Sequence, residues 1–399
     1  MMKKLIAVLA FLAMVTTAAF AQAAVSGTIQ TRFNAFRGNF NDDYGHTFGG
    51  SFGAAHLQLS GTNETGTLGG LFRFRNLDAF GYSTGSDGGF RMHRAFVWWR
   101  PIPMFRFFLG QDPDGMFDTT QIAGWAFHQG ENDYMFNHDW GFWRDIFPGN
   151  WDHFGVALSF FNLVDGLNVN LVLPTARTGT DGFRQSWLER QVTVEQMLAG
   201  FRLHSTFNLP GTGLLQFTYN APGGRGWNTA ATTWEDAPNF GQLGLSFLLN
   251  GLPVGDFLVG GSVLIPNADG DAVIWAGAAL TMPNLADLFE LRFRVGAEIP
   301  TADGQFPLLT TNIMPVVPLG PGSVMFDVGM TMRLHEDFDS TPHLGWWIGP
   351  VYRLPMASGS LQAGIHIRSG VNQLGGNQSS LTNSDDVLFN IPIALTFSF

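Results

Sequence analysis

The sequence contains no cysteine, and its only lysines are Lys3 and Lys4. The absence of thiols excludes a disulfide framework, a Cys-x-x-Cys redox pair and a thiolate metal site. The absence of later lysines excludes a Walker-type phosphate loop, because that loop needs a lysine after its glycines. The formal net charge is −11, which argues against a nucleic-acid backbone or an anionic lipid surface as the partner.

Charged residues are also scarce, at 13% of the chain against about 25% in ordinary soluble domains. No run of 18 apolar residues occurs, which argues against a membrane protein built of helices. The hydrophobic fraction of 45%, with 50 glycines and 38 phenylalanines, rules out a disordered chain. The composition therefore indicates a folded protein with an apolar surface, and it disfavours a typical cytosolic enzyme.

The amino terminus has the pattern of an export signal. The two lysines precede an apolar run over residues 5–15, which is too short to cross a bilayer. Two triplets with small residues at their first and third positions follow, Ala19-Phe20-Ala21 and Ala21-Gln22-Ala23, and they suit a signal peptidase that cuts before Gln22 or before Ala24. We predict a cleaved signal peptide over residues 1–23 and one domain over residues 24–399. The alternative, a buried amino-terminal helix, is disfavoured because no helical period continues after the apolar run.

The rest of the chain alternates with a period of two residues, which is typical of β-strands with one apolar face. The alternation is clearest near the carboxy terminus, in the segment that ends at Phe399 and in a second segment around Phe326. In the second segment Phe326, Val328 and Met330 alternate with Asp327, Gly329 and Thr331.

Short and long connections alternate between these strands. We count eight short turns and nine longer loops, which predicts about 18 antiparallel strands with both chain ends on the short-turn side. Pro315 interrupts the predicted strand from Leu308 to Val317, and a proline inside a strand argues against that assignment. Losing its hairpin leaves 16 strands, the alternative.

Such a sheet is predicted to close into a transmembrane up-and-down β-barrel, because an open edge in hydrocarbon leaves backbone groups unpaired at several kcal/mol each. The alternative is a soluble two-sheet sandwich or jelly roll, which also alternates but directs its apolar face into a core. Paired aromatics at strand ends, such as Trp98-Trp99 and Trp346-Trp347, indicate girdles at the membrane interface and favour the barrel.

These features resemble the porins, the outer-membrane β-barrels of Gram-negative-type envelopes. The resemblance is carried by the export signal, the last strand ending at Phe399, the Arg94 to Pro101 segment before a tight turn, and a very long third loop. It implies an outer-membrane location with lipid around the barrel and a homotrimer. It further implies that Phe399 is an assembly signal read by the barrel assembly machinery.

The third loop, from Gln111 to His153, is far longer than an ordinary connection and rich in acidic and aromatic residues. By the porin resemblance it is expected to fold into the lumen and form the constriction. The alternative is a lid or loop on the outer surface. The residues predicted for the constriction are Asp112, Asp114, Asp118, Trp125, Glu131 and Asp133.

Arginines recur on the more polar face of the predicted strands, where they would line the lumen. A guanidinium stays charged and binds carboxylates or solute anions in bidentate fashion. An arginine wall facing an acidic loop would set a transverse field that selects solutes by size and charge. The alternative is that these arginines only brace the barrel. The predicted pore-lining residues are Arg32, Arg73, Arg75, Arg202, Arg292, Arg294, Arg333, Arg353 and Arg368.

The function these observations predict is passive diffusion of small hydrophilic solutes or ions through an outer-membrane channel. The alternative is a surface-exposed adhesin or structural barrel with an occluded lumen. A third reading adds an aromatic stacking track for sugars in the third loop. No cofactor, metal or nucleic acid is expected, and no enzyme is predicted, since neither a catalytic triad nor a metal-binding motif is recognisable.

Overall fold

The computed structural model describes residues 22–40, 51–76, 91–111, 154–176, 194–221, 239–266, 270–285, 288–334, 344–370 and 387–399. These residues form 19 strand segments and one short helix, α1 (Val194–Ala199). In this part of the chain no helix is long and apolar enough to cross a membrane.

The strands follow one another in chain order, and every pairing is antiparallel. Their bounds are β1 Gln22–Asn39, β2 Ser51–Thr62, β3 Leu68–Asn76, β4 Arg91–Ile102, β5 Phe105–Gln111, β6 Phe154–Phe160, β7 Leu167–Ala176, β8 Arg202–Leu209, β9 Gly213–Asn220, β10 Asn239–Leu252, β11 Gly255–Pro266, β12 Val273–Leu285, β13 Phe289–Pro300, β14 Leu308–Leu319, β15 Gly322–Arg333, β16 Leu344–Met356, β17 Gly359–Gly364, β18 His366–Ser369 and β19 Leu388–Ser398.

The sheet closes into a barrel because β1 pairs with β2 on one side and with β19 on the other. The predicted transmembrane-type up-and-down barrel is therefore confirmed as the fold, and the two-sheet sandwich is wrong. Closure leaves no free sheet edge, so the backbone groups of the first and last strands are paired as well.

The 19 segments make 18 strands around the barrel, because β17 and β18 are one strand with a break at Ile365. Both halves keep the same register with β16, where Val351 pairs with Gly364 and Ile348 with Ile367. That register places Ile365 opposite Pro350, which accepts the Ile365 N–H at 3.0 Å but has no N–H to return. The β-ladder with β16 therefore lacks one hydrogen bond at Pro350, but β17 and β18 keep a single register with β16.

Strand β14, which Pro315 interrupts, is present. Ile313 pairs with Val328 before Pro315, and Val316 pairs with Met325 after it. The proline removes one donor without shifting the register, so the 18-strand prediction is confirmed and 16 strands is wrong.

Side chains alternate between an exposed outer face and a buried inner face. On β15 Phe326 and Val328 are each 41% exposed, whereas Asp327 is 3% exposed. On β19 Ile393, Leu395 and Phe397 are exposed while the residues between them are more buried. The apolar face points outward, as the closed-barrel prediction requires.

The prediction that both members of each tryptophan pair belong to interface girdles is wrong. Trp346 is 36% exposed on the outer face, but Trp347 is 1% exposed and lies inside the barrel. Likewise Trp99 is exposed, whereas Trp98 packs inside against the cluster of Phe96 and Phe108. Neighbouring residues on a strand point to opposite faces, so only one tryptophan of each pair can reach lipid.

Candidate functional site

The inner face of the barrel is the candidate functional surface, because it is where the polar and charged side chains of the strands collect. Its buried members include Arg202, Arg294 and Arg368, which are 0%, 6% and 4% exposed. Many uncharged polar side chains lie on the same face.

Seven of the nine predicted pore-lining arginines have described side chains, and all seven occupy the inner register of their strands. Three are buried, and the other four are partly exposed: Arg73, Arg292, Arg333 and Arg353. For Arg32 and Arg75 the structure gives the backbone pairing only, with Arg32 paired to Ala394 and Arg75 to His56. The strand alternation therefore places these arginines on one face of the wall, at positions distributed around the barrel.

Several of these arginines contact neighbouring inner side chains. Arg73 donates from Nε to Gln58 Oε1 at 2.9 Å. Arg294 donates from a terminal nitrogen to Asn312 Oδ1 at 3.1 Å. Arg292 forms an ion pair with Glu290 two positions earlier on the same strand. Such contacts fix the guanidinium groups against the barrel wall.

Two carboxylates of the inner face accept hydrogen bonds from side chains on adjacent strands. Asp327 accepts a hydrogen bond from Trp347 Nε1 at 3.0 Å and another from Asn312 Nδ2. Glu298 accepts one from Trp275 Nε1 at 2.9 Å. These neutral donors hold the two carboxylates in place but leave their negative charge, so the described inner face is positive because its arginines outnumber its carboxylates.

Two further arginines were missed by sequence reasoning. The guanidinium carbon of Arg100 lies 5.0 Å from the centre of the Phe161 ring, and that of Arg106 lies 4.9 Å from it, within cation–π range. Both lie near short turns, on the inner register shared with Phe96 and Phe108. Arg100 and Phe96 are an even number of residues apart on their strand, as are Arg106 and Phe108. Strand alternation could therefore have predicted that both arginines lie on the inner face.

A group of uncharged and histidine side chains on β6–β9 was also missed. We call it the hydrogen-bonding patch, and its members are Ser159, Asn170, His204, Gln216, Thr218 and Asn220, each at most 2% exposed. No single strand shows it in the sequence, since each contributes only one to three of its members.

The predicted constriction residues of the third loop, Asp112, Asp114, Asp118, Trp125, Glu131 and Asp133, lie outside the described residues. Phe399 is described: its backbone pairs with Gly27 and its ring is 59% exposed on the outer face. Among the described residues no group of three or more His, Asp or Glu side chains could hold a metal ion.

Comparison with known proteins places this barrel among solved outer-membrane structures. The chain is similar to a BenF-like porin from Pseudomonas fluorescens Pf-5, with a TM-score of 0.56, 9% identity, and coverage of 95% of this chain and 100% of that one. It is also similar to Salmonella typhi OmpF, solved as a complex with daunomycin, with a TM-score of 0.50, 10% identity, and coverage of 94% and 97%. No family description and no curated protein matches the sequence. The chain therefore has the closed 18-strand barrel fold of the outer-membrane porins.

Proposed function

We propose that this protein is a passive diffusion channel of the outer membrane that admits small hydrophilic solutes and ions. The observation that carries the proposal is the division of the barrel wall, with an exposed apolar outer face and an inner face of arginine and hydrogen-bonding side chains. An 18-strand barrel is too wide for side chains to fill it, and a polar inner face is wetted by water. The porin fold supports the same function.

The arginines are proposed to set the charge preference. The seven predicted arginines with described side chains share the inner register with four carboxylates, Asp256, Glu290, Glu298 and Asp327, so positive charge is in excess on the described wall. A positive wall raises the local concentration of anions and lowers that of cations. If the third loop folds inward, its carboxylates would complete a transverse field across a narrow gap.

The surroundings of the barrel follow from the same proposal. The exposed apolar outer face would contact outer-membrane lipid, after export by a cleaved signal peptide. Phe399 would serve the barrel assembly machinery as its recognition signal, and the homotrimer stays a prediction from the porin resemblance. The transport itself is non-enzymatic and needs no cofactor.

The test is a planar-bilayer recording of the purified, refolded protein. We expect stepwise conductance that grows with salt concentration, as for a water-filled pore. Heat-modifiable gel migration of the same sample provides the control that the barrel is folded. A folded barrel that inserts and passes no current at any voltage contradicts the channel and favours the adhesin or structural alternative.

A further inference from the structure

The hydrogen-bonding patch forms an ordered array across four neighbouring strands. Ser159 of β6 pairs directly with Asn170 of β7, Asn170 pairs with His204 of β8, and His204 pairs with Thr218 of β9. Directly paired side chains on one face stand about 5 Å apart. The four groups therefore form a continuous row across the inner wall.

Two further members extend this row along the strands. Gln216 lies next to Thr218 on the inner face of β9 and pairs with Thr206, while Asn220 lies on the other side of Thr218 and pairs with Arg202. The patch therefore also extends along β9, over the inner positions Gln216, Thr218 and Asn220.

Each member keeps a polar atom that has no hydrogen-bond partner among the described residues. These atoms are Ser159 Oγ, Asn170 Oδ1, His204 Nδ1, Gln216 Oε1, Thr218 Oγ1 and Asn220 Nδ2. His204 Nε2 lies 3.2 Å from Asn220 Oδ1, and because an amide oxygen only accepts, Nε2 is the donor and Nδ1 of a neutral ring is left as an acceptor. Buried polar groups nearly always have partners, so an array of such atoms indicates a site for a ligand.

The chemistry of the array selects the class of ligand. The two hydroxyls both donate and accept, Asn220 Nδ2 donates, and the remaining atoms accept. These described strands, β6 to β10, contain no Asp or Glu, and their one charged residue is Arg202, which pairs with Asn220 and disfavours a cation. A ligand made of many hydroxyl groups matches this mixture, because each hydroxyl donates one hydrogen bond and accepts others.

We propose that the hydrogen-bonding patch is a binding subsite for a neutral, hydroxyl-rich solute, a sugar or a polyol. The inference rests on the proposed channel function and names a solute class for it. It differs from an aromatic stacking track, because the recognising groups are polar side chains of the wall itself. Burial of these groups strengthens each hydrogen bond that a solute makes with them.

The experiment records the ion current of the full barrel in a planar bilayer while sucrose is added. We expect sucrose to interrupt the current in a saturable way. Polyethylene glycol of similar size is the matched control, because its ether oxygens accept hydrogen bonds and almost none of its groups donate. It should reduce the current only in proportion to its concentration.

The variant is Asn170→Leu combined with Thr218→Val, which removes two members and keeps their approximate volume. We expect the half-blocking concentration of sucrose to rise about tenfold or more, the change that follows when buried hydrogen bonds to a ligand are lost. The matched control is Thr310→Val on β14, whose hydroxyl lies 3.1 Å from that of Thr331 on the inner face away from the patch. The half-blocking concentration of sucrose for this control should equal that for the unmodified protein.

The outcomes separate the two proposals. Ion current with no saturable sucrose block, or a block that the double variant leaves unchanged, overturns the subsite and leaves the channel intact. If the barrel passes no current, the channel proposal fails, and equilibrium dialysis of the detergent-solubilised barrel against labelled sucrose then tests the subsite directly. Absence of binding there overturns it too. If the double variant does not fold, Gln216→Met takes its place under the same criteria.

Discussion

Phe399 closes the barrel seam by lying over Gly27. The Gly27 N–H donates to the Phe399 carbonyl at 2.9 Å, and the Phe399 N–H donates to the Gly27 carbonyl at 3.0 Å. A Cβ atom placed on Gly27 would lie 2.3 Å from Cζ of the Phe399 ring. The last residue of the chain therefore covers a position on the first strand where only glycine leaves room.

Gly27→Val should weaken the seam. The added side chain displaces the Phe399 ring and also approaches the His56 carbonyl oxygen, which lies 2.9 Å from the Cβ position. We expect a loss of about 1–3 kcal/mol in the free energy of unfolding, typical of overpacking, measured by urea titration with heat-modifiable gel migration. In a Phe399→Ala background the same substitution should cost clearly less. Equal costs in both backgrounds would show that the ring is not the cause.

Trp347→Phe should destabilise the barrel more than Trp346→Phe. Trp347 donates to the buried Asp327 carboxylate at 3.0 Å and its ring covers Gly329, whereas Trp346 faces outward on the same strand. Losing a donor to a buried charged acceptor costs about 1–3 kcal/mol. Urea titration followed by far-ultraviolet circular dichroism measures both variants without relying on tryptophan emission. Equal effects would contradict the inward placement of Trp347.

Replacing Arg333, Arg353 and Arg368 together with Ala should shift the permeability ratio toward cations, because the wall loses positive charge. The reversal potential in a salt gradient measures this ratio. The shift should be larger near 0.1 M salt, where the screening length is about 10 Å, than at 1 M, where it is about 3 Å. The triple Lys variant keeps the charges and should stay close to the unmodified protein. An unchanged reversal potential in the Ala variant would remove the arginines from the selectivity proposal.

Of the two predicted cuts we now favour the one before Gln22, which ends the signal peptide at residue 21 instead of residue 23 as expected from the sequence alone. Strand β1 begins at this residue, where Gln22 pairs with Thr62 and Ala23 pairs with Gly61, and a cut before Ala24 would remove both pairs. The intact mass of the protein isolated from membranes distinguishes the two ends. Ala19→Leu alters only the first predicted site and should slow processing, while Ala23→Leu alters only the second and should not. A mature chain starting at Ala24 would contradict the prediction.

The strand pattern was largely predictable from local sequence. Apolar residues at every second position around Phe326 predicted a two-faced strand, and the alternation of short and long connections predicted 18 strands even though Pro315 interrupts β14. Both predictions succeed because strand alternation and turn chemistry depend on residues close together in the chain. The inner register of the arginines could be read from the sequence for the same reason.

The chain by itself determined which residues share a face, and its scarcity of charge favoured an apolar face that points outward. Only the tertiary structure decided which side chains from different strands meet. The Trp347 donor to Asp327, the Phe399 ring over Gly27 and the row from Ser159 to Thr218 all depend on cross-strand register. Register is set by pairing between segments that are distant in the chain, and no local pattern specifies which residues those pairings bring together.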